Sequence, residues 1–274
     1  MENQAVKEVP VRRYRGEEAG DAPDVLAVEE PLEIRLEYGP ADRRTAKNLS
    51  VTMRTPGADE DLAAGFLLTE GIVQRSSDIA GMRSLENVIT VALDPGLAVD
   101  LQKLERHFYT TSSCGVCGKT SIDAVKTAAN CSFTNRNEHW AVRPEVIYGL
   151  PDTLRREQAA FEATGGLHAA ALFDRAGRLL ALREDVGRHN ALDKLIGHYF
   201  RESAVPLDDH ILLLSGRASF ELLQKAAMAG IRFVCAVGAP SSLAVETAES
   251  FGITLVGFLR DNRFNVYSGT ITGS

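Results

Sequence analysis

Residues His210–Gly238 read HILLLSGRASFELLQKAAMAGIRFVCAVG, and the alternation inside this stretch decides the fold. The apolar run Ile211 to Leu214 stops at Ser215-Gly216, the pattern of a short buried strand ending in a turn. ASFELLQKAAMAG then has helical spacing and closes on Gly230, and IRFVCAVG is a second apolar strand. A strand, a helix and a strand in that order imply a helical crossover, which pairs the two strands in parallel.

The pattern extends in both directions. Downstream, SSLAVETAESFG and ITLVGFLR supply another helix and strand. Upstream, LHAAALFD and RLLALRED are strand-like and NALDKLIGHYF is amphipathic. TNRNEHWAVRP, residues 134–144, has the composition of a linker, and Pro144 suits the first turn of a helix running through Arg156. Before the linker, PLEIRLEYG and KNLSVTMRTPG alternate like strands, ADEDLAAGFLLTEGIV opens with acidic residues like a helix, and MRSLENVITVAL adds one more strand. The expected architecture is α/β: a flexible tail over residues 1–28, an α+β domain over 29–140 and an α/β domain over 141–274.

Composition narrows the function. The chain has 274 residues, 37 acidic against 30 basic, for a formal charge of −7. That argues against a general nucleic-acid binder while leaving room for a local pocket for a phosphorylated ligand. No apolar run reaches the roughly 18 residues of a membrane span, and the Arg12-Arg13 pair has no apolar region after it. The expectation is a cytoplasmic protein. In that reducing compartment its four cysteines do not make a disulfide scaffold.

Cys114 and Cys117 stand two residues apart in TTSSCGVCGKTS, a turn of small and polar residues just before the helical spacing of KTSIDAVKTAA. Three chemistries use such a pair. A structural zinc site needs four ligands, for which Cys131 and His139 would complete the set at a spacing unlike common fingers. Thiol–disulfide exchange gains from a helix start, which lowers a thiol pKa, but here lacks the expected βαβ context. A nucleophilic sulfur carrier needs an accessible thiolate on a loop, with Lys119 adding positive charge nearby. The spacing alone leaves all three open. Cys235, inside IRFVCAVG, reads as an ordinary buried thiol.

A second constellation lies at the strand ends. ATGGLHAAAL puts Thr164, Gly165, Gly166 and His168 at the entrance to a strand. REDVGRHNALDK concentrates charge, including Arg188, where a strand turns into a helix. Ser215, Gly216 and Arg217 precede a helix start near Ser219, and Ser241 and Ser242 precede another. Arg260 and Arg263 are expected after the last strand. Helix N–H groups with arginines bind phosphates, so these ends imply a pocket for an anionic, nucleotide-bearing ligand. Zinc-dependent deamination does not fit, because Ala170 stands where the catalytic Glu belongs and the cysteine pair lies upstream of His168.

Taken in order, TSSCGVCGK, TGGLHAAAL, REDVGRHNALDK, LLLSGRASFE and FLRDNRFNVYSG resemble the FdhD sulfurtransferases, the formate dehydrogenase accessory proteins, from about residue 30 onward. The resemblance implies a cytidine deaminase-like, three-layer α/β C-terminal domain without its catalytic metal, and a homodimer. It implies that sulfur passes as a persulfide from a cysteine desulfurase to the molybdenum of bis(molybdopterin guanine dinucleotide), for use by the formate dehydrogenase catalytic subunit. Cys114 matches the persulfide carrier and Cys117 the assisting cysteine. Phe258, Leu259, Arg260, Asp261, Asn262 and Arg263 match the cofactor-binding stretch, and GDP or GMP would act as surrogate ligands. Arg188, Arg217, Arg260 and Arg263 are then expected on the phosphates, and Thr164 to His168 along the nucleotide or pterin. Two other readings are a cofactor-binding chaperone without sulfur transfer and a zinc-stapled nucleotide-binding module.

Overall fold

A computed structural model of the chain describes residues 5–97 and 142–272. Its centre is a six-stranded sheet built from β7 (His168–Phe173), β8 (Leu179–Asp185), β9 (Ile211–Leu214), β10 (Phe233–Ala236), β11 (Thr254–Arg260) and β12 (Arg263–Ser268), in the order β12-β11-β10-β9-β7-β8. The strands β9, β10 and β11 are parallel, joined by α5 (Phe220–Met228) and α6 (Ser242–Phe251) as the strand–helix–strand rhythm implies. The strands β7, β8 and β12 pair antiparallel at the flanks. One face of the sheet packs on α2 (Pro144–Glu157), and the other on α4 (Arg188–Arg201), α5 and α6. Period-two alternation drives this sandwich: Ala170 and Leu172 of β7 point into one core, Ala169, Ala171 and Phe173 into the other.

The N-terminal part adds a four-stranded sheet, order β4-β3-β6-β5, from β3 (Glu30–Tyr38), β4 (Thr45–Arg54), β5 (Ile79–Leu85) and β6 (Val88–Leu93). MRSLENVITVAL is thus two strands, not one: Leu85 pairs with Val88 around a two-residue turn, with Glu86 at φ 50°. Helix α1 (Asp59–Thr69) lies between this sheet and α4, and its buried residues belong to the same hydrophobic cluster as those of α4, α5 and the central sheet. The two expected domains therefore share one core.

Two glycines set the helix contact. A methyl group at Gly65 of α1 would collide with the carbonyl oxygen of Asp193, and one at Gly197 of α4 with that of Asp61. The helices touch backbone to backbone at these positions.

Residues 6–27, expected within a flexible tail, form a hairpin of β1 (Val6–Arg15) and β2 (Glu18–Ala27). Gly16 takes φ 61° in its two-residue turn, and the foot of the ribbon packs on α3 (Ala159–Thr164). The charged residues that made this stretch look solvated alternate across a ladder. Arg12 faces Asp21 and Arg15 faces Glu18.

Candidate functional site at the strand ends

Two short loops with the same plan end β9 and β10. Ser215-Gly216-Arg217-Ala218-Ser219 leads into α5, and Val237-Gly238-Ala239-Pro240-Ser241 leads into α6. They run side by side and continue the parallel hydrogen-bond ladder beyond the sheet. Val237 N–H donates to the Leu214 carbonyl at 3.0 Å, Gly238 N–H to Gly216 at 3.0 Å, Ala218 N–H to Ala239 at 3.2 Å and Ser241 N–H to Ala218 at 3.0 Å. Gly238 permits this approach, since a Cβ there would lie 3.1 Å from both the Arg217 N and Cγ atoms. Both helix starts face the same end of the sheet. The Ser241 hydroxyl caps α6 by accepting from the Ala244 N–H at 3.2 Å.

β11 joins the same end through a bulge between Gly257 and Arg260. Phe258 N–H donates to the Gly238 carbonyl at 3.0 Å, and Phe258 holds φ 54°, a left-handed conformation that an aromatic residue rarely adopts. Gly257 is obligatory beside it, because a Cβ would sit 2.8 Å from Pro240 Cδ and 2.9 Å from Tyr267 Cε2. The exposed Arg260 guanidinium lies 6.0 Å from the Phe258 ring centroid. Arg260 is the last residue of β11 and Arg263 the first of β12, so the expectation that both follow the last strand is corrected. Asp261 (φ 52°) and Asn262 (φ 51°) are the two left-handed positions of a tight hairpin turn, a role Asp and Asn accept more readily than other non-glycine residues. Leu259 is 1% exposed and packs into the core on the α2 side.

β7 runs antiparallel to β9, so its first residue, His168, arrives at this same edge. Ser215 fastens it: Ser215 N–H donates to the Ala169 carbonyl at 3.0 Å, and the Ser215 hydroxyl accepts from the Ala169 N–H at 2.8 Å. The imidazole lies close to Gly216, whose Cβ would be 3.5 Å from Nδ1. Burial lowers the His168 pKa below the usual imidazole value; Arg188 reinforces the shift and Asp185 opposes it. Arg188 begins α4, and its buried Nε has no hydrogen-bond partner among the described residues. Thr164 to Gly166 lie just before β7 as the end of α3. Thr164 Oγ1 donates to the Ala160 carbonyl at 2.8 Å, and Gly165 takes the left-handed C-terminal cap at φ 66°. The paired glycines thus have a structural duty as well as any contact with ligand.

The structure sorts REDVGRHN residue by residue. Arg183 donates to Asp61 at 3.2 Å, and Glu184 accepts from the Phe161 N–H at 2.9 Å. Asp185, fully buried, accepts from the Thr55 N–H at 3.1 Å and from the Gly187 N–H at 2.8 Å, and pairs with Lys194 at 2.7 Å. Asn190 reaches the Met53 carbonyl at 2.7 Å. These four residues hold the N-terminal sheet, α1 and α3 to the central layer. Arg188 Nε and His189 Nε2 are buried without a hydrogen-bond partner among the described residues, as is the Nε of Arg183, whose other guanidinium nitrogens are bonded. His189 faces a cavity of about 520 Å³ between β4, α4 and α5, with Glu221 3.9 Å away. Burial, then Lys225 and Arg188, push its pKa down to about 4 against the pull of Glu221 and Glu70. Neither this cavity nor the Phe258 bulge has a signal in residue spacing.

Cys114, Cys117, Cys131 and His139 lie outside the described residues. Among the described residues no group of three His, Cys, Asp or Glu side chains is arranged to hold a metal, and no helix is long and apolar enough to cross a membrane. Cys235 is fully buried in β10, and burial pushes its thiol pKa far up, so it is no nucleophile.

The FdhD/NarQ family model matches residues 27–272, which contain every element from β3 onward. The chain belongs to the FdhD/NarQ family. Among relatives of this FdhD/NarQ member, the sulfur carrier protein FdhD of Streptomyces coelicolor is 49% identical over 269 residues, covering 94% of this chain and 92% of the relative. The sulfur carrier protein FdhD of Mycobacterium tuberculosis is 49% identical over 271 residues, covering 94% and 95%. A crystal structure from Desulfotalea psychrophila, of a protein proposed to be a formate dehydrogenase accessory protein, superposes with a TM-score of 0.70 over 97% of both chains at 22% identity, which speaks to the shared fold alone.

Proposed function

We propose that this FdhD/NarQ protein is a sulfur carrier that loads the molybdenum cofactor of a formate dehydrogenase. The observation that carries the reading is the strand-end site. Two parallel helix starts, the partnerless Nε of Arg188 and the exposed Arg217 and Arg260 converge where a polyanionic dinucleotide needs positive charge. Names of relatives that are about half identical support the sulfur chemistry.

The Cys114 thiolate attacks the outer sulfur of a persulfide held on a cysteine desulfurase. The bond to the desulfurase sulfur breaks, that sulfur leaves as a thiolate, and Cys114 retains the persulfide. Its terminal sulfur then passes as sulfane sulfur to the molybdenum of bis(molybdopterin guanine dinucleotide), here a substrate whose reduced metal supplies the two electrons that make it a sulfide; the S–S bond breaks and Cys114 leaves as a thiolate with Cys117 assisting. Arg188, Arg217, Arg260 and Arg263 neutralise the phosphates. His168, kept neutral by burial and by Arg188, offers an uncharged hydrogen-bonding edge beside Ser215 and Gly216.

Incubation of the protein with a cysteine desulfurase and cysteine should add about 32 Da at Cys114 by peptide mass spectrometry, with none in Cys114→Ala. Sulfur found only on Cys131 or Cys235 overturns the carrier assignment. A Cys114→Ala variant that still supports active formate dehydrogenase favours the chaperone instead. Stoichiometric zinc lost with the cysteine pair favours the zinc-stapled module. Arg188→Ala should weaken GDP binding roughly tenfold in calorimetry, the effect of losing one charge-assisted contact, with the melting temperature unchanged.

A further inference from the structure

The cavity that His189 faces, about 520 Å³ between β4, α4 and α5, shares no lining residue with the strand-end site. Its volume suits a small organic molecule. One wall is apolar, built from Ile34 of β3, Leu62 and Phe66 of α1, and Val186 just before α4. Val51 and Met53 of β4 carry that surface outward, 65% and 47% exposed, two of the few large apolar side chains that face solvent among the described residues.

The polar lining is one-sided in charge. Glu29, Glu70, Asp193 and Glu221 stand against one lysine, Lys225, and no arginine. Lys225 is already engaged, 2.8 Å from Asp193 and 3.6 Å from Glu70. Glu221 has no Lys or Arg within ion-pair distance among the described residues, and Arg188 acts on it at longer range. Its neighbour at 3.9 Å, His189, is uncharged near neutral pH. Burial works against the Glu221 charge, but hydrogen bonds at the start of α5, with His189 and Arg188, hold its pKa below the usual carboxylate value. Two further groups of the lining lack partners among the described residues. His189 Nε2 is buried and unbonded, and the Gln224 amide, in a residue 5% exposed, makes no hydrogen bond. Enclosed polar groups are seldom left so, and each adds an open bonding position beside the Glu221 carboxylate. An anion entering here would meet carboxylates on several sides, whereas an N–H-donating cation on a hydrocarbon body matches both walls.

We infer that this cavity is a second ligand site, one for a small organic cation, with an amine or amidine head on Glu221, Gln224 and His189 and an apolar body against Phe66 and Met53. The site is separate from the strand ends and from the sulfur chemistry, and no covalent bond changes in it. Benzylamine is the probe and benzyl alcohol its uncharged counterpart of the same shape. In the full chain with 13C-labelled methionine methyls, benzylamine should shift the Met53 signal, identified by its loss in Met53→Leu, in a saturable way. Benzyl alcohol should bind about tenfold more weakly or worse, because it lacks the charge-assisted contact. Glu221→Gln keeps the size and removes the charge, and should weaken benzylamine about tenfold in ligand-observed titrations. Since Glu221 also lies in the first turn of α5, Met53→Lys on the exposed rim supplies a variant that spares the fold; its added cation should weaken benzylamine severalfold with the melting temperature unchanged. Equal binding of the amine and the alcohol, affinity unchanged in both variants, or no Met53 shift, the mark of a cavity that holds water alone, overturns the inference. Displacement of benzylamine by GMP overturns it too, because the cavity would then be part of the nucleotide pocket.

Discussion

His189 shows what a single side chain can report. Its pKa of about 4 in the folded protein is depressed from 6.5, chiefly by burial. Near neutral pH the ring is uncharged in both states and costs nothing. As pH falls below about 6.5 the unfolded chain takes up the proton first, so stability is lost progressively until about pH 4. The full effect is roughly 3 kcal/mol. Denaturant midpoints should therefore fall between pH 7 and pH 4.5, and His189→Gln should flatten part of that slope; an unchanged slope would assign the acid sensitivity to other groups. Phe258 stores a different cost. Phe258→Gly should relieve left-handed strain of about 1 kcal/mol, visible as a higher melting temperature, while weakening the nucleotide binding proposed above because the ring beside Arg260 is lost.

Among elements, the α1–α4 contact is the least tolerant. Gly197→Leu places a side chain against the Asp61 carbonyl and should destabilise the fold by about 3 kcal/mol or more, read from equilibrium unfolding. Strand–helix–strand rhythm made β9, α5, β10, α6 and β11 legible, because buried parallel strands are continuous apolar runs and their crossovers are amphipathic. The elements that escaped have other causes. β1 and β2 lack apolar alternation because the ribbon has no core beneath its outer half, and β12 follows a turn whose Asp261-Asn262 pair resembled a terminal loop. The shared edge of the sheet was legible where the signal is local, as in His168, Arg188 and Ser215-Gly216-Arg217, which the structure brings to one end of the strands. It was not legible where pairing across the fold assigns a residue to structure, as with Asp185 on Thr55 or Leu259 in the core.

In the whole molecule, sequence-distant segments are joined by buried charge. Lys225 donates to Asp193 at 2.8 Å and to Thr69 of α1 at 2.9 Å, while Lys194 donates to the Thr55 carbonyl at 2.7 Å and pairs with Asp185. Burial opposes the charge on Lys225, and Asp193 and Glu70 more than offset it. Asp193→Leu leaves that ammonium without its main partner and should cost about 3–5 kcal/mol, whereas Asp193→Leu with Lys225→Met should recover most of the loss. Calorimetry of either variant should show one transition, since the N-terminal sheet and the central layer share a core. Both sites also oppose a hinge, through their bonds to Thr69 and Thr55. Rotating the N-terminal sheet away from the central layer would leave both ion pairs intact, because each lies within the central layer, but would break the buried hydrogen bonds of Lys225 and Asp193 to Thr69 and of Lys194 and Asp185 to Thr55, so a jaw-like opening is costly. Among the described residues the N-terminal sheet and the central layer therefore behave as one body, a fixed frame for whatever is bound at its strand ends.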